Sequence, residues 1–141
     1  MISHVTVGIS DLDRALGFYG PVLAELGLVQ KFAEPENGWA GWVSPQAPRP
    51  LFLITRPFNG QPHAVGNGQM VALMADTRAM VDRAYAVALA LGAVCEGPPG
   101  PRPHYTPDYY GAYFRDLDGN KLCAVCHAPP LTPSSENTPS A

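Results

Sequence analysis

The chain has 141 residues, 46% of them hydrophobic, and a net charge of −3. That size predicts one domain able to bury a real core. The acidic balance and the lack of a basic run argue against a nucleic-acid partner, and no apolar window reaches the roughly 18 residues of a membrane span.

Three cysteines, Cys95, Cys123 and Cys126, without a basic-then-apolar leader, predict free thiols in a reducing cytoplasm. In chain order, His4–Ile9 reads as a strand with Val5, Val7 and Ile9 on one face and His4, Thr6 and Gly8 on the other. Asp11 is a helix cap. Leu12, Ala15, Leu16, Tyr19, Leu23 and Leu26 then form an apolar stripe, with Pro21 expected to kink or split the helix and Gly27 to end it. Strands are predicted over 28–34, 38–44 and 50–56.

The order then repeats. Met70–Ala75 is a strand, and Asp76 or Thr77 caps a helix carrying Met80, Val81, Ala84, Tyr85, Ala88 and Leu91, which ends at Gly92. A short strand over 93–96 leads into Gly97–Pro107, which reads as a loop because proline cannot serve a strand interior. Tyr109–Asp116 and Lys121–His127 are strands joined by the Asp118-Gly119 turn. Setting Trp39–Val43 beside Tyr110–Phe114 matches aromatic residues at both ends. The same offset sets Phe52 beside Cys123. Residues 129–141 read as a flexible, solvated tail.

The repeat, the run His4-Val5-Thr6-Val7, the run Leu16-Gly17-Phe18-Tyr19 and the hairpin Phe114-Arg115-Asp116-Leu117-Asp118-Gly119-Asn120-Lys121-Leu122 together resemble the vicinal oxygen chelate superfamily of glyoxalases, bleomycin resistance proteins and extradiol dioxygenases. The resemblance implies an α+β fold: two βαβββ modules forming a curved eight-stranded mixed sheet, open to a cleft on one side, with helices on the outer face. It spans one domain over 1–128, with module one at about 2–57, a linker at 58–67 and module two at about 68–128. It also implies a homodimer.

Enzymes of that family hold a divalent metal with four cleft side chains. The corresponding positions here are His4, Phe52, Met70 and Cys123. Phe52 has no donor atom and Met70 offers only a soft thioether, so no metal cofactor is expected. His4 should face the cleft, where an imidazole suits proton transfer. Strand parity puts Cys123 on one face with Val125 and His127, and Cys126 in the core. His104 and Tyr105 sit in the proline-stiffened loop, beside Tyr110 and Tyr113 on the following strand. His63, in the linker, reads as a solvated histidine.

The resulting expectation is a lyase- or isomerase-type enzyme acting on a small carbonyl or carboxylate compound. His4, Cys123 and His104 would carry its chemistry, and Phe52, Met70, Tyr105, Tyr110, Tyr113 and His127 would line the ligand. The alternative is a metal-free protein that binds, sequesters or senses a small molecule.

Overall fold

The computed structural model describes residues 1–131. The elements are β1 (His4–Gly8), α1 (Leu12–Glu25), β2 (Val29–Glu34), β3 (Trp39–Val43), β4 (Leu51–Thr55), β5 (Val71–Met74), α2 (Arg78–Ala90), β6 (Val94–Pro101), β7 (Tyr110–Arg115) and β8 (Lys121–Cys126). The βαβββ order occurs twice, as the repeat predicts. Most of the expected tail, residues 132–141, lies outside the described residues.

Local chemistry sets the helix starts. Asp11 accepts from the Arg14 amide at 2.9 Å, and Thr77, rather than Asp76, accepts from the Met80 amide at 3.2 Å. Pro21 lies inside a continuous α1 and does not split it. The residue removes one amide, so the Gly17 carbonyl lacks its usual helical donor there. Gly27 and Gly92 follow the two helices with φ of 78° and 107°, where a side chain would be strained.

Each module is a mixed four-stranded sheet, β1-β4-β3-β2 and β5-β8-β7-β6. In both, the first strand runs parallel to the last, and the remaining pairs are antiparallel. The eight strands therefore stand as two unclosed ladders. Val5 of β1 and Val71 and Leu73 of β5 line one apolar cavity of about 420 Å³.

The two helices cover one face of both sheets and share a single core. Phe18 meets Phe114 at 6.5 Å between ring centroids, and Tyr19 meets Phe52 at 5.4 Å, so α1 ties its own sheet to the other. Each such buried ring contributes about 1.5–3 kcal/mol. The opposite face of each sheet is open.

One sequence expectation fails on β6. The strand runs through Pro98 and Pro99 to Pro101 instead of ending at residue 96. It is the edge of its sheet, and its pairing with β7 slips on both sides of Gly97. An edge with broken register tolerates missing amides that an inner strand does not.

Candidate functional site

The open face of module two concentrates the chemistry. Tyr113 on β7 stands directly opposite Cys123 on β8. Tyr109, at the end of the loop before β7, brings its hydroxyl to 2.8 Å from that of Tyr113 and 3.7 Å from Cys123 Sγ. Outward from this row the rings continue. Tyr105 meets Tyr109 at 4.9 Å, His104 meets Tyr105 at 4.3 Å, and His127 meets Tyr109 edge-on at 5.4 Å. Cys123 is 1% exposed, whereas Tyr105 is 59% exposed. The result is a ladder of rings leading from solvent to a shut-in thiol.

Charge surrounds the ladder. The Arg102 guanidinium lies 5.6 Å from the Tyr113 ring centroid and the Lys121 ammonium 5.7 Å from it. Arg102 donates to the Pro98 and Pro101 carbonyls, which fixes its position. Arg115 pairs with Glu96 at 2.5 Å and donates to the Gly119 carbonyl, so it steadies the hairpin.

This surrounding holds protons on. Burial pushes the Cys123 thiol above its usual range, outweighing hydrogen bonds from Tyr109 and Tyr113 and the positive charges of Arg102 and Lys121. Burial also raises the Tyr109 phenol far above the usual range, reinforced by its bond to Tyr113. Tyr113 is raised as well, again chiefly by desolvation. At neutral pH the row is two phenols and a thiol, all uncharged. A neutral buried thiol is a poor nucleophile.

The structure thus brings together Cys123, His104, Tyr105, Tyr113 and His127. It separates four others. Tyr110 is on the helix side, where it donates to Asp82 at 2.7 Å beneath the Arg78 guanidinium, and not on the open face. Phe52 also points to the helices, packed on Tyr19 and Trp42, rather than into the cleft; on its face it lines the apolar junction cavity. Both misplacements are shifts of one residue, which in a strand reverse the side chain. Trp42 pairs with Phe52 and faces the helices, so its counterpart is Phe114, paired with Leu122. Gly41 and Leu53 are the counterparts of Tyr113 and Cys123.

His4 is exposed at the start of β1, 3.0 Å from the Ser3 hydroxyl. Met70 is 42% exposed and lines a groove of about 640 Å³ beside the linker. His63 lines the same groove and is not the solvated histidine expected: its ring lies against Gly8, and its buried Nε2 has no partner. Sequence reasoning missed Tyr109, Arg102 and Lys121. Parity alone signals Tyr109, since 109, 111 and 113 share a face. Arg102 has no such signal, because an irregular edge strand and loop carry it there.

The four positions that would hold a metal do not form a fitting donor set. The β4 residue on the open face beside His4 is hydrocarbon, Leu51 or Leu53. Met70 offers a thioether, and Cys123 is protonated and capped by Tyr109. Among the described residues no three His, Cys, Asp or Glu side chains gather around a point.

Residues 1–124 match the Glyoxalase/Bleomycin resistance protein/Dioxygenase superfamily, and the chain belongs to it. The chain is similar to a glyoxalase/bleomycin resistance protein from Albidiferax ferrireducens T118, with 38% identity and a TM-score of 0.80 over 89% of this chain and 98% of that one. It shares its fold with a lactoylglutathione lyase from Agrobacterium tumefaciens, at 24% identity and a TM-score of 0.60 over 89% and 92% of the two chains. It likewise shares its fold with TioX from Micromonospora sp. ML1, at 20% identity and a TM-score of 0.61 over 91% and 99%. No curated protein matches the chain. Among the described residues no helix is long and apolar enough to cross a membrane.

Proposed function

We propose that this chain is a metal-free, small-molecule-binding member of the superfamily, with its ligand seated on the aromatic open face of module two. The observation that carries this reading is the protonated Tyr109–Tyr113–Cys123 row with rings stacked outward from it. Module one is an internal control. At the matching place it has Gly41 and Leu53, with Phe32 packed so closely that a side chain on Gly41 would strike it. One copy of the repeat keeps a hydrocarbon wall, and the other carries hydrogen-bonding and stacking groups.

A lyase or isomerase acting on a small carbonyl or carboxylate compound needs a base beside its substrate. Cys123 is protonated, its hydrogen-bonding neighbours are phenols, and the two imidazoles of the ladder, His104 and His127, meet Tyr105 and Tyr109 by ring contact. His4 is exposed, and its side-chain partner among the described residues is the adjacent Ser3 hydroxyl at 3.0 Å, not a carboxylate that would favour its imidazolium. A cytoplasmic homodimer is part of the proposed reading, and sedimentation velocity tests the assembly.

The deciding experiment measures metal content in protein purified without chelator, then thermal shifts with Zn²⁺, Mn²⁺, Ni²⁺ and Fe²⁺. Sub-stoichiometric metal and no ion-dependent stabilisation are expected. One bound divalent ion per chain, lost in His4→Ala, sinks the proposal. Detected turnover that His4→Ala abolishes establishes the enzyme reading instead.

A further inference from the structure

The module-two wall carries a second kind of information, namely charge. Arg102 and Lys121 lie within 6 Å of one tyrosine ring, yet among the described residues neither has a carboxylate at ion-pair distance. Glu96, near enough to Lys121 to feel its charge, is paired with Arg115. Surface cations normally lose little by standing alone in water. These two stand half-buried against an aromatic ladder, where a bound ligand would strip water from them.

The hydroxyl row points the same way. Two phenols carry two protons, and their mutual bond uses one. The other has no acceptor better than Cys123 Sγ, which lies 3.7 Å from the Tyr109 oxygen, a long contact to a weak partner. A stronger acceptor arriving at the row would take that proton as a hydrogen bond. Hydrogen bonds to a charged acceptor are about twice as strong as neutral ones.

A cationic ligand would face two like charges here, despite the rings. A neutral ring would stack on Tyr105 and Tyr109 but leave both cations and the spare hydroxyl unused. We propose that the wall selects an aromatic carboxylate, whose ring stacks on the ladder while its carboxylate meets Arg102, Lys121 and a tyrosine hydroxyl. This rests on the reading of the wall as the ligand site and adds the charge and shape of the ligand.

The test is calorimetric titration of the full chain with benzoate, benzamide and cyclohexanecarboxylate. Benzoate should bind at least about tenfold more tightly than either of the others, since one charged hydrogen bond is worth about that factor. Arg102→Gln and Lys121→Gln should each weaken benzoate and leave benzamide unchanged, and added salt should weaken benzoate alone. Arg102 also holds loop carbonyls, so Lys121→Gln keeps the test valid should the first variant fail to fold. Equal binding of benzoate and benzamide, lost in Tyr113→Ala, overturns the charge assignment and leaves the site reading standing. Equal binding of the two carboxylates overturns the aromatic part. No binding of any probe overturns both.

Discussion

The Tyr19 hydroxyl on α1 of module one donates to the Asp116 carboxylate at the end of β7 in module two. Asp116 is 4% exposed and also accepts from the Asp118 and Asn120 amides and from Asn120 Nδ2. Asn120 Nδ2 in turn reaches the Gly8 carbonyl at the end of β1. One buried carboxylate therefore ties the hairpin of the second module to two elements of the first. Tyr19→Phe removes a donor from that charge while keeping the ring contacts with Phe18, Trp42 and Phe52. The expected loss is about 1–3 kcal/mol in urea unfolding. A loss under about 0.5 kcal/mol would show that water replaces the phenol at no net cost.

Alkaline pH should weaken the fold through its phenols. Burial first, and the nearby Asp116 second, raise Tyr19 well above the usual 10.0. Tyr109, Tyr110 and Tyr113 are raised too. Below about pH 10 both folded and unfolded chains keep these protons, and the stabilisation is complete. Above it the unfolded chain releases protons that the fold retains, so unfolding free energy falls as pH rises toward the folded-state values. Urea midpoints should start to fall above about pH 8.5, where the unfolded Cys123 thiol ionises and burial keeps the folded one protonated, and drop more steeply beyond about pH 10. Tyr19→Phe should make that drop shallower; an identical slope would mean that Tyr19 titrates alike in both states.

The repeat, the helix caps and the closing hairpin were legible because each is local. Asp11 and Thr77 cap where cap chemistry places them, and Gly119 takes φ of 89° in the Asp118-Gly119 turn. Faces within a strand were legible where alternation was clean, as in β1 and β8. The placement of Phe52 and Tyr110 was not, because it depended on aligning one module against the other. Both β2 and β6 slip register against their partners, so no single offset holds across the repeat. Tyr109 and Arg102 join the site through the turns of 102–109, whose backbone bonds, Arg102 amide to Tyr109 carbonyl and Tyr105 amide to Arg102 carbonyl, have no periodic sequence signature.

The cysteines should separate by reactivity. Cys95 is exposed, while Cys123 and Cys126 are 1% exposed. Cys126 Sγ turns inward toward the Asp76 and Ala128 carbonyls. Iodoacetamide at about pH 8, where exposed thiols are partly ionised, should label Cys95 in the folded protein and the other two only after denaturation. Peptide mapping by mass spectrometry reads the order. Tyr109→Ala removes the ring bonded to the thiol and should expose Cys123 selectively. Rapid labelling of Cys123 in the unaltered protein would mean that the aromatic cover stands open in solution.

Gly8 is another place where one missing side chain shapes the molecule. It ends β1 with no Cβ, and the His63 ring fills that space; a Cβ there would lie 2.5 Å from Nδ1 and 2.9 Å from Cε1. His63 lines two grooves, of about 640 and 850 Å³. Gly8→Ala must therefore push the ring, and the residue 57–69 connection with it, off β1. Overpacking of this kind costs about 1–3 kcal/mol. His63→Ala removes the obstacle, so Gly8→Ala should cost far less in that background, and the two changes should be strongly non-additive. Hydrogen exchange over residues 57–69 should speed up in Gly8→Ala alone. Additive costs with unchanged exchange would instead place the penalty in β1 itself, because a shifted connection must expose its amides whereas a strained strand need not.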